Sequence, residues 1–358
     1  MTASRSVFVN AVATAVPGHD IHHAFADWAE RRIDDAREAA IFRRMVDRAG
    51  IDRRWSVLPP TDGGGSPVSS GGFYAEGSPP TSARMQIYAQ AAPALALDAV
   101  HKLGEAGATD DLTHLVVASC TGFVAPGLDQ IIARRLGLPA GVERTLIGFM
   151  GCYAAVSALR TAYHIVRSEP SAKVLVVTVE LSTLHLQFSD DLEGLLAMLQ
   201  FGDGAAAALV SAERRGFSLS RPFATTIPDT AELIRWTIGD TGFAMHLSGA
   251  VAGHIATALQ TQAVKDSIFG QDDVADIDAW AVHAGGRSIL DAVQRAFGLP
   301  DEALEASRAV LSAYGNMSSS TLMFALAALL DQPRRRKGVA LAFGPGLAAE
   351  GFHLARAS

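Results

Sequence analysis

The chain has 358 residues, 49% of them apolar and 19% charged, enough for one large domain or two half-domains with a substantial core. A net charge of −7 disfavours a nucleic-acid-binding surface, and two cysteines exclude a disulfide framework and suit a reducing cytoplasm. No window offers the roughly 20 apolar residues of a membrane span, and residues 1–17 lack the apolar core of a signal peptide.

In chain order, Val7–Val12 predicts the first buried strand. Pro59–Ser82 is dominated by Pro, Gly and Ser, keeps no periodicity, and reads as a long surface loop. Gln86–Leu103 follows with the i, i+3, i+4 apolar spacing of a helix. A strand is predicted at Leu115–Ala118, a helix at Gly127–Leu136, and a second helix at Ala154–Ser168. Strands at Val174–Val179 and Ala205–Val210 close the first half. A shift of composition near Ser211–Ser220 places the boundary at 215/216, dividing the chain into 1–215 and 216–358. The second half contributes a strand at Ala279–Val282, helices at Arg287–Ala296 and Ser318–Leu330, and a strand at Val339–Phe343. The dense basic run Arg334–Lys337, between Pro333 and Gly338, reads as a solvated turn. Alternation of this kind predicts an α/β fold with mixed sheets.

Three residues invite a chemical reading. Cys152 lies in Gly148-Phe149-Met150-Gly151-Cys152-Tyr153-Ala154, at the start of a predicted helix, where the positive end of the helix dipole favours the nucleophilic thiolate. His283 ends an apolar strand before Gly285-Gly286, the end of a strand at which open α/β sheets bind ligands. It reads either as a histidine satisfied within the turn or as an imidazole that serves a thiolate or an oxyanion. Asn316, in Tyr314-Gly315-Asn316-Met317-Ser318-Ser319-Ser320, reads either as the N-cap of the helix that follows or as an oxyanion donor.

Taken together with Ala11–Pro17, Thr113–Val117, Cys120-Thr121-Gly122-Phe123, Phe201-Gly202-Asp203-Gly204 and Gly344-Pro345-Gly346, these segments resemble the type III polyketide synthases, the chalcone synthase-like branch of the thiolase-fold condensing enzymes. The resemblance implies a thiolase-like α/β fold: two pseudo-symmetric halves with mixed five-stranded sheets, layered with helices as αβαβα. It implies that Cys152 takes an acyl starter from CoA and holds the growing chain. His283 and Asn316 would promote decarboxylation of malonyl-CoA and stabilise the enolate. Acyl-CoA and malonyl-CoA would be the substrates, with no metal and no other cofactor, and the protein would be a cytoplasmic homodimer.

The same resemblance assigns Arg44 and Arg48 to the CoA phosphates, a third family position being Ile41. It assigns Cys120, Thr121, Ala125, Ser182, His185, Leu186, Phe188, Trp236, Met245 and Ser318 to the substrate pocket, and Gly344, Pro345 and Gly346 to a cyclisation loop. Trp236 stands where plant relatives carry glycine and should block or reroute one lobe. Met245 replaces an aromatic gatekeeper, Leu186 or Phe188 would supply a second gate, and Ala125 replaces a methionine that enters the partner's cavity. Cys120 in place of a hydroxyl residue, Trp236 and the short Leu184–Phe188 stretch resemble bacterial members, which include alkylpyrone and alkylresorcinol synthases with fatty acyl starters and tetrahydroxynaphthalene synthases that start from malonyl-CoA. Ala125 and Met245 favour an apolar tunnel, hence an acyl starter and an alkylpyrone, alkylresorcinol or related product. The alternatives are a β-ketoacyl-ACP synthase III making a single condensation, and an inactive acyl-binding homologue on the same fold.

Overall fold

The structure, a computed structural model, describes residues 6–105, 111–189, 191–270 and 272–357. All six predicted strands form. The first half contributes β1 (Val7–Ala15), β2 (His114–Ser119), β3 (Glu143–Gly148), β4 (Val174–Leu181) and β5 (Asp203–Ser211). The second contributes β6 (Phe217–Thr226), a hairpin of β7 (Ile234–Gly239) and β8 (Gly242–Leu247), then β9 (Ala279–Val282), β10 (Lys337–Gly344) and β11 (Ala348–Arg356). Their order in the main sheet is β9-β10-β11-β6-β1-β5-β4-β2-β3.

Within the first half the strands run first, fifth, fourth, second, third; within the second, leaving the hairpin aside, they run first, last, penultimate, second. The arrangement repeats, which is the expected internal symmetry, but the second half carries four strands rather than five among the described residues. Between β9 and β10 the chain passes from Gly298 and Pro300 into a 3₁₀ turn and a helix, with no extended run to form a fifth strand. The two half-sheets also join: Val7, Phe8 and Val9 of β1 pair antiparallel with Leu219, Ser218 and Phe217 of β6.

The helices are α1 (His22–Glu30), α2 (Ala36–Arg48), α3 (Thr81–Glu105), α4 (Leu128–Arg135), α5 (Ala154–Ser168), α6 (Leu192–Met198), α7 (Val251–Gln260), α8 (Gln262–Phe269), α9 (Arg287–Phe297), α10 (Glu305–Tyr314) and α11 (Ser320–Leu330). Strand side chains alternate between faces, and that alternation splits the core. Val116, Val176, Ala208, Ala281 and Ala340 pack with α5 and α11 in one cluster; Leu115, Val177, Leu209, Val282 and Leu341 pack with α3, α7 and α9 in the other. Helix α11 carries no charged residue on any face, as a helix buried between sheets must.

Pro59–Ser82 is irregular as expected up to Thr81, where α3 begins, but it is not confined to the surface. Ser66, Pro67 and Tyr74 are buried, because the loop folds back on itself and seats Tyr74 against the segment after β4.

Candidate active site

Cys152 sits two residues before α5, in a turn where Phe149 and Gly151 have positive φ (56° and 77°). Gly151 is required there twice over: its φ is left-handed, and a Cβ would lie 2.4 Å from Pro345 Cδ. The Gly151 amide donates to Cys120 Sγ at 2.9 Å, so Cys120 supports the turn that carries Cys152 as well as lining its cavity. Ser318, held at φ 47°, donates its hydroxyl to Cys152 Sγ at 3.8 Å. Burial pushes the Cys152 thiol up to about 12, outweighing the donors Ser318 and Asn316, which lower it. The thiolate expected from the helix terminus is therefore not the resting form of the free site; desolvation of the charged form dominates.

Asn316 is fixed through backbone and side chain. Its amide N–H donates to Gln200 O at 2.8 Å, and its carbonyl accepts from Gly202 N–H at 3.0 Å. Gly315, at φ 68°, lets this close approach happen, since a Cβ there would lie 2.8 Å from Gln200 O. The side-chain Oδ1 accepts from Ser318 N–H at 2.8 Å and Nδ2 donates to Gly285 O at 3.2 Å. These two bonds orient the amide and leave its other Nδ2 proton for Cys152 Sγ. Asn316 does not cap α11, which starts four residues later, at Ser320.

His283 follows β9, its N–H donating to Leu341 O at 2.8 Å. It is fully buried, and neither ring nitrogen has a partner among the described residues, which rules against a histidine satisfied in its turn. Burial lowers its pKa to about 3, so the imidazole is neutral, with one lone pair and one N–H to offer.

One group at the site is absent from the sequence expectations. Glu180, at the end of β4, is completely buried; its Oε2 accepts from Cys120 N–H at 2.9 Å and Thr121 Oγ1 at 3.0 Å, and its Oε1 from Ser319. Burial raises its pKa to about 7, and its charge in turn raises that of Cys152. A lone acid in the apolar run Val174–Leu181 is the signal that could have found it.

Cys152 opens on a small cavity of about 10 Å³ lined by Cys120, Thr121, Ser182, Phe201, Trp236, Met245, Ser318 and Pro345. Ser182, Phe201, Trp236 and Met245 also line a largely apolar cavity of about 300 Å³, with His185 and Leu186 on its wall. Trp236 and Met245 are cross-strand partners in the β7–β8 hairpin, and Trp236 Nε1 donates to Cys120 O at 3.0 Å. They stand at the junction of the two spaces. Phe201, quoted above only as part of a motif, shares that position. His185 is structural: Nε2–H donates to Thr121 O at 2.7 Å, Nδ1 accepts from Phe243 N–H at 3.1 Å, and burial lowers its pKa to about 4.

The other expected residues fall elsewhere. Phe188 packs edge-on against Trp28 at 5.4 Å and does not line either cavity. Ala125 is exposed, and Arg44 and Arg48 are exposed on α2, outside both linings. Of Gly344, Pro345 and Gly346, expected to form a cyclisation loop, Pro345 reaches the Cys152 cavity, and Gly344 and Gly346 flank it, Gly346 at φ 71°.

The chalcone and stilbene synthase N-terminal domain matches residues 3–214, and the C-terminal domain of the same family matches residues 218–357. The chain belongs to this family, the type III polyketide synthases. Such enzymes are acyltransferases that catalyse decarboxylative condensation. An alpha-pyrone synthesis polyketide synthase-like protein, Pks18 of Mycobacterium tuberculosis H37Rv, is 35% identical over 284 residues, covering 75% of this chain and 72% of its own. Bisdemethoxycurcumin synthase of Oryza sativa subsp. japonica is 33% identical over 379 residues, covering 97% and 91%. Among solved structures, PKS-I of the brown alga Ectocarpus siliculosus superposes with a TM-score of 0.88 at 29% identity, covering 98% of each chain. The C-terminal type III polyketide synthase domain of Steely1, from Dictyostelium, gives 0.88 at 26% identity over 99% of this chain and 100% of its own. The thiolase-like α/β fold and the polyketide synthase assignment are thereby shown, and the single-condensation and inactive-homologue alternatives are not favoured.

Proposed function

We propose that this type III polyketide synthase loads a straight-chain acyl group from acyl-CoA onto Cys152 and extends it with malonyl-CoA. In loading, Cys152 Sγ attacks the thioester carbonyl, its proton passes to His283, and the CoA thiolate leaves with that proton. Malonyl-CoA then loses CO₂, and the negative charge moves to the thioester oxygen, where His283 and Asn316 donate. The resulting carbon nucleophile attacks the Cys152 thioester and expels the Cys152 thiolate, leaving the lengthened chain as a CoA thioester; the Cys152 thiolate then attacks that thioester and expels the CoA thiolate, which returns the chain to Cys152 for the next round.

The observation that carries this reading is the pairing of a buried, unpartnered imidazole with an amide locked toward Cys152 Sγ. An inert core would leave neither in that state. The large apolar cavity supports an alkyl tail, and the alpha-pyrone name of the Pks18 relative supports release as an alkylpyrone, an enol oxygen closing on the Cys152 thioester. CoA thioesters are the only small molecules this chemistry needs, without metal or further cofactor. Arg44 and Arg48 would meet the CoA phosphates, and Gly344–Gly346 would shape ring closure beside the thiol. The boundary at 215/216 lies in the connection between β5 and β6. Two free cysteines fit the cytoplasm, and no helix among the described residues is long and apolar enough to cross a membrane. A homodimer fits the exposed apolar residues Phe123, Leu146 and Phe149 beside the edge strand β3.

Incubation with lauroyl-CoA and malonyl-CoA, and no carrier protein, should give products extended two or more times by mass spectrometry. Strict dependence on an acyl carrier protein with one extension would overturn the assignment of substrates.

A further inference from the structure

Apart from His283, one neutral side chain among the described residues buries a polar atom that has no partner: Gln200, through Oε1. Such atoms are rare in folded proteins, because each forgoes the hydrogen bonds it makes in water. Gln200 touches both catalytic segments of the second half. Its backbone carbonyl accepts from Asn316 N–H at 2.8 Å. Its side chain lies against Gly286, three residues after His283, where an added Cβ would press on Oε1 at 3.0 Å. Glycine keeps that side of the amide clear. The next residue, Arg287, donates through Nη1 to Arg48 O at 3.4 Å, and a Cβ on Gly50 would lie 3.7 Å from Arg287 Cδ. Gln200 thus stands on a line of contacts that runs from Asn316 to the exposed end of α2. It lines neither the apolar cavity nor the space at the thiol.

The partner Oε1 lacks is a donor, and the substrates offer few. An alkyl tail has no N–H, and the malonyl carboxylate only accepts. The CoA side of either thioester carries donors, and the one closest to the reacting carbon is a pantetheine amide N–H, an ethylene group away from the sulfur. With the thioester oxygen at His283 and Asn316 and the acyl chain in the cavities, the pantetheine arm is left with the line of contacts toward α2. We propose that Gln200 Oε1 accepts this nearest amide N–H, in acyl-CoA and malonyl-CoA alike, and so holds the thioester carbonyl against His283 and Asn316. This rests on the reading of CoA thioesters as the substrates. The terminal torsion of a glutamine is broad, so the half-buried Gln200 can turn Oε1 from Gly286 to the arriving donor. The bond forms only when substrate binds, and it pairs an unsatisfied acceptor as the carbonyl is placed.

The test pairs a change in the substrate with a change in Gln200 and reads the rate of Cys152 acylation by intact mass, in single-turnover reactions below saturation. One substrate is the lauroyl thioester of N-acetylcysteamine, which keeps the nearest amide. The other is the lauroyl thioester of 2-mercaptoethyl acetate, in which an ester oxygen replaces that N–H. Wild type should load about tenfold faster from the amide, the loss expected when one partner of a hydrogen bond at a buried acceptor is removed. Gln200→Leu should slow the amide substrate and bring the two rates within about twofold of each other. A merely structural effect would slow both alike and leave the wild-type ratio in place. Melting temperatures check folding, and Gln200→Ala repeats the comparison if the Leu variant is unstable. A wild-type ratio retained in a folded variant, or a wild type that does not distinguish the two substrates, would overturn the assignment. Failure of wild type to load lauroyl from CoA would instead overturn the reading of substrates on which it depends.

Discussion

Glu180 shows how burial and charge set the chemistry of this site at the level of single residues. Burial raises its carboxyl to about 7, outweighing its hydrogen bonds to Ser319, Cys120 and Thr121, and when ionised it raises the Cys152 thiol. Replacing it with Gln removes that charge, so Cys152 becomes easier to ionise. Glu180→Gln should therefore be alkylated by iodoacetamide about threefold to tenfold faster than wild type at pH 8–9, the effect of roughly half to one pKa unit. Below about pH 6 the two rates should converge, because wild-type Glu180 is then protonated as well. A constant rate ratio from pH 5 to 9 would contradict this electrostatic account. Cys152, His283 and Asn316 are legible because each has a local context that a sequence displays: a glycine turn before a helix, a strand end before Gly-Gly, a Gly-Asn turn before an apolar helix. Glu180 and Phe201 do not stand out in the same way, since their importance arises from contacts across 60 and more positions of chain.

Among the elements, strands with unbroken apolar runs are readable, and those with one wet face are not. The hairpin β7–β8 alternates Trp236 and Met245 with Arg235, Thr237 and His246, and only pairing reveals that the two large residues meet. Edge strand β3 hides for the same reason: most of its residues are exposed. Its outer edge has no partner strand among the described residues, and Leu146 is 46% exposed on it. An open, partly apolar edge is a pairing surface that natural proteins blunt or cover. If a second copy covers it, Leu146→Glu places like charges near the twofold axis and should weaken the dimer by about tenfold or more in sedimentation. An undiminished dimer would place the interface elsewhere.

On the scale of the whole molecule, the site is divided between the halves. Cys152 and Glu180 come from the first, His283 and Asn316 from the second, and the Gln200–Asn316–Gly202 backbone bonds tie one to the other. The repeated strand order and the buried α5 and α11 hold the two sets of groups in register. On the proposed mechanism, division of the site is division of labour: the thiol would carry the chain, while the imidazole and amide would handle the enolate. The most direct measurement is CO₂ release set against product formation in Cys152→Ala with malonyl-CoA and lauroyl-CoA. The account predicts that condensation products vanish while CO₂ release persists, and that adding His283→Ala removes the CO₂ release too. Loss of both activities together in Cys152→Ala, or continued condensation without the thiol, would contradict it.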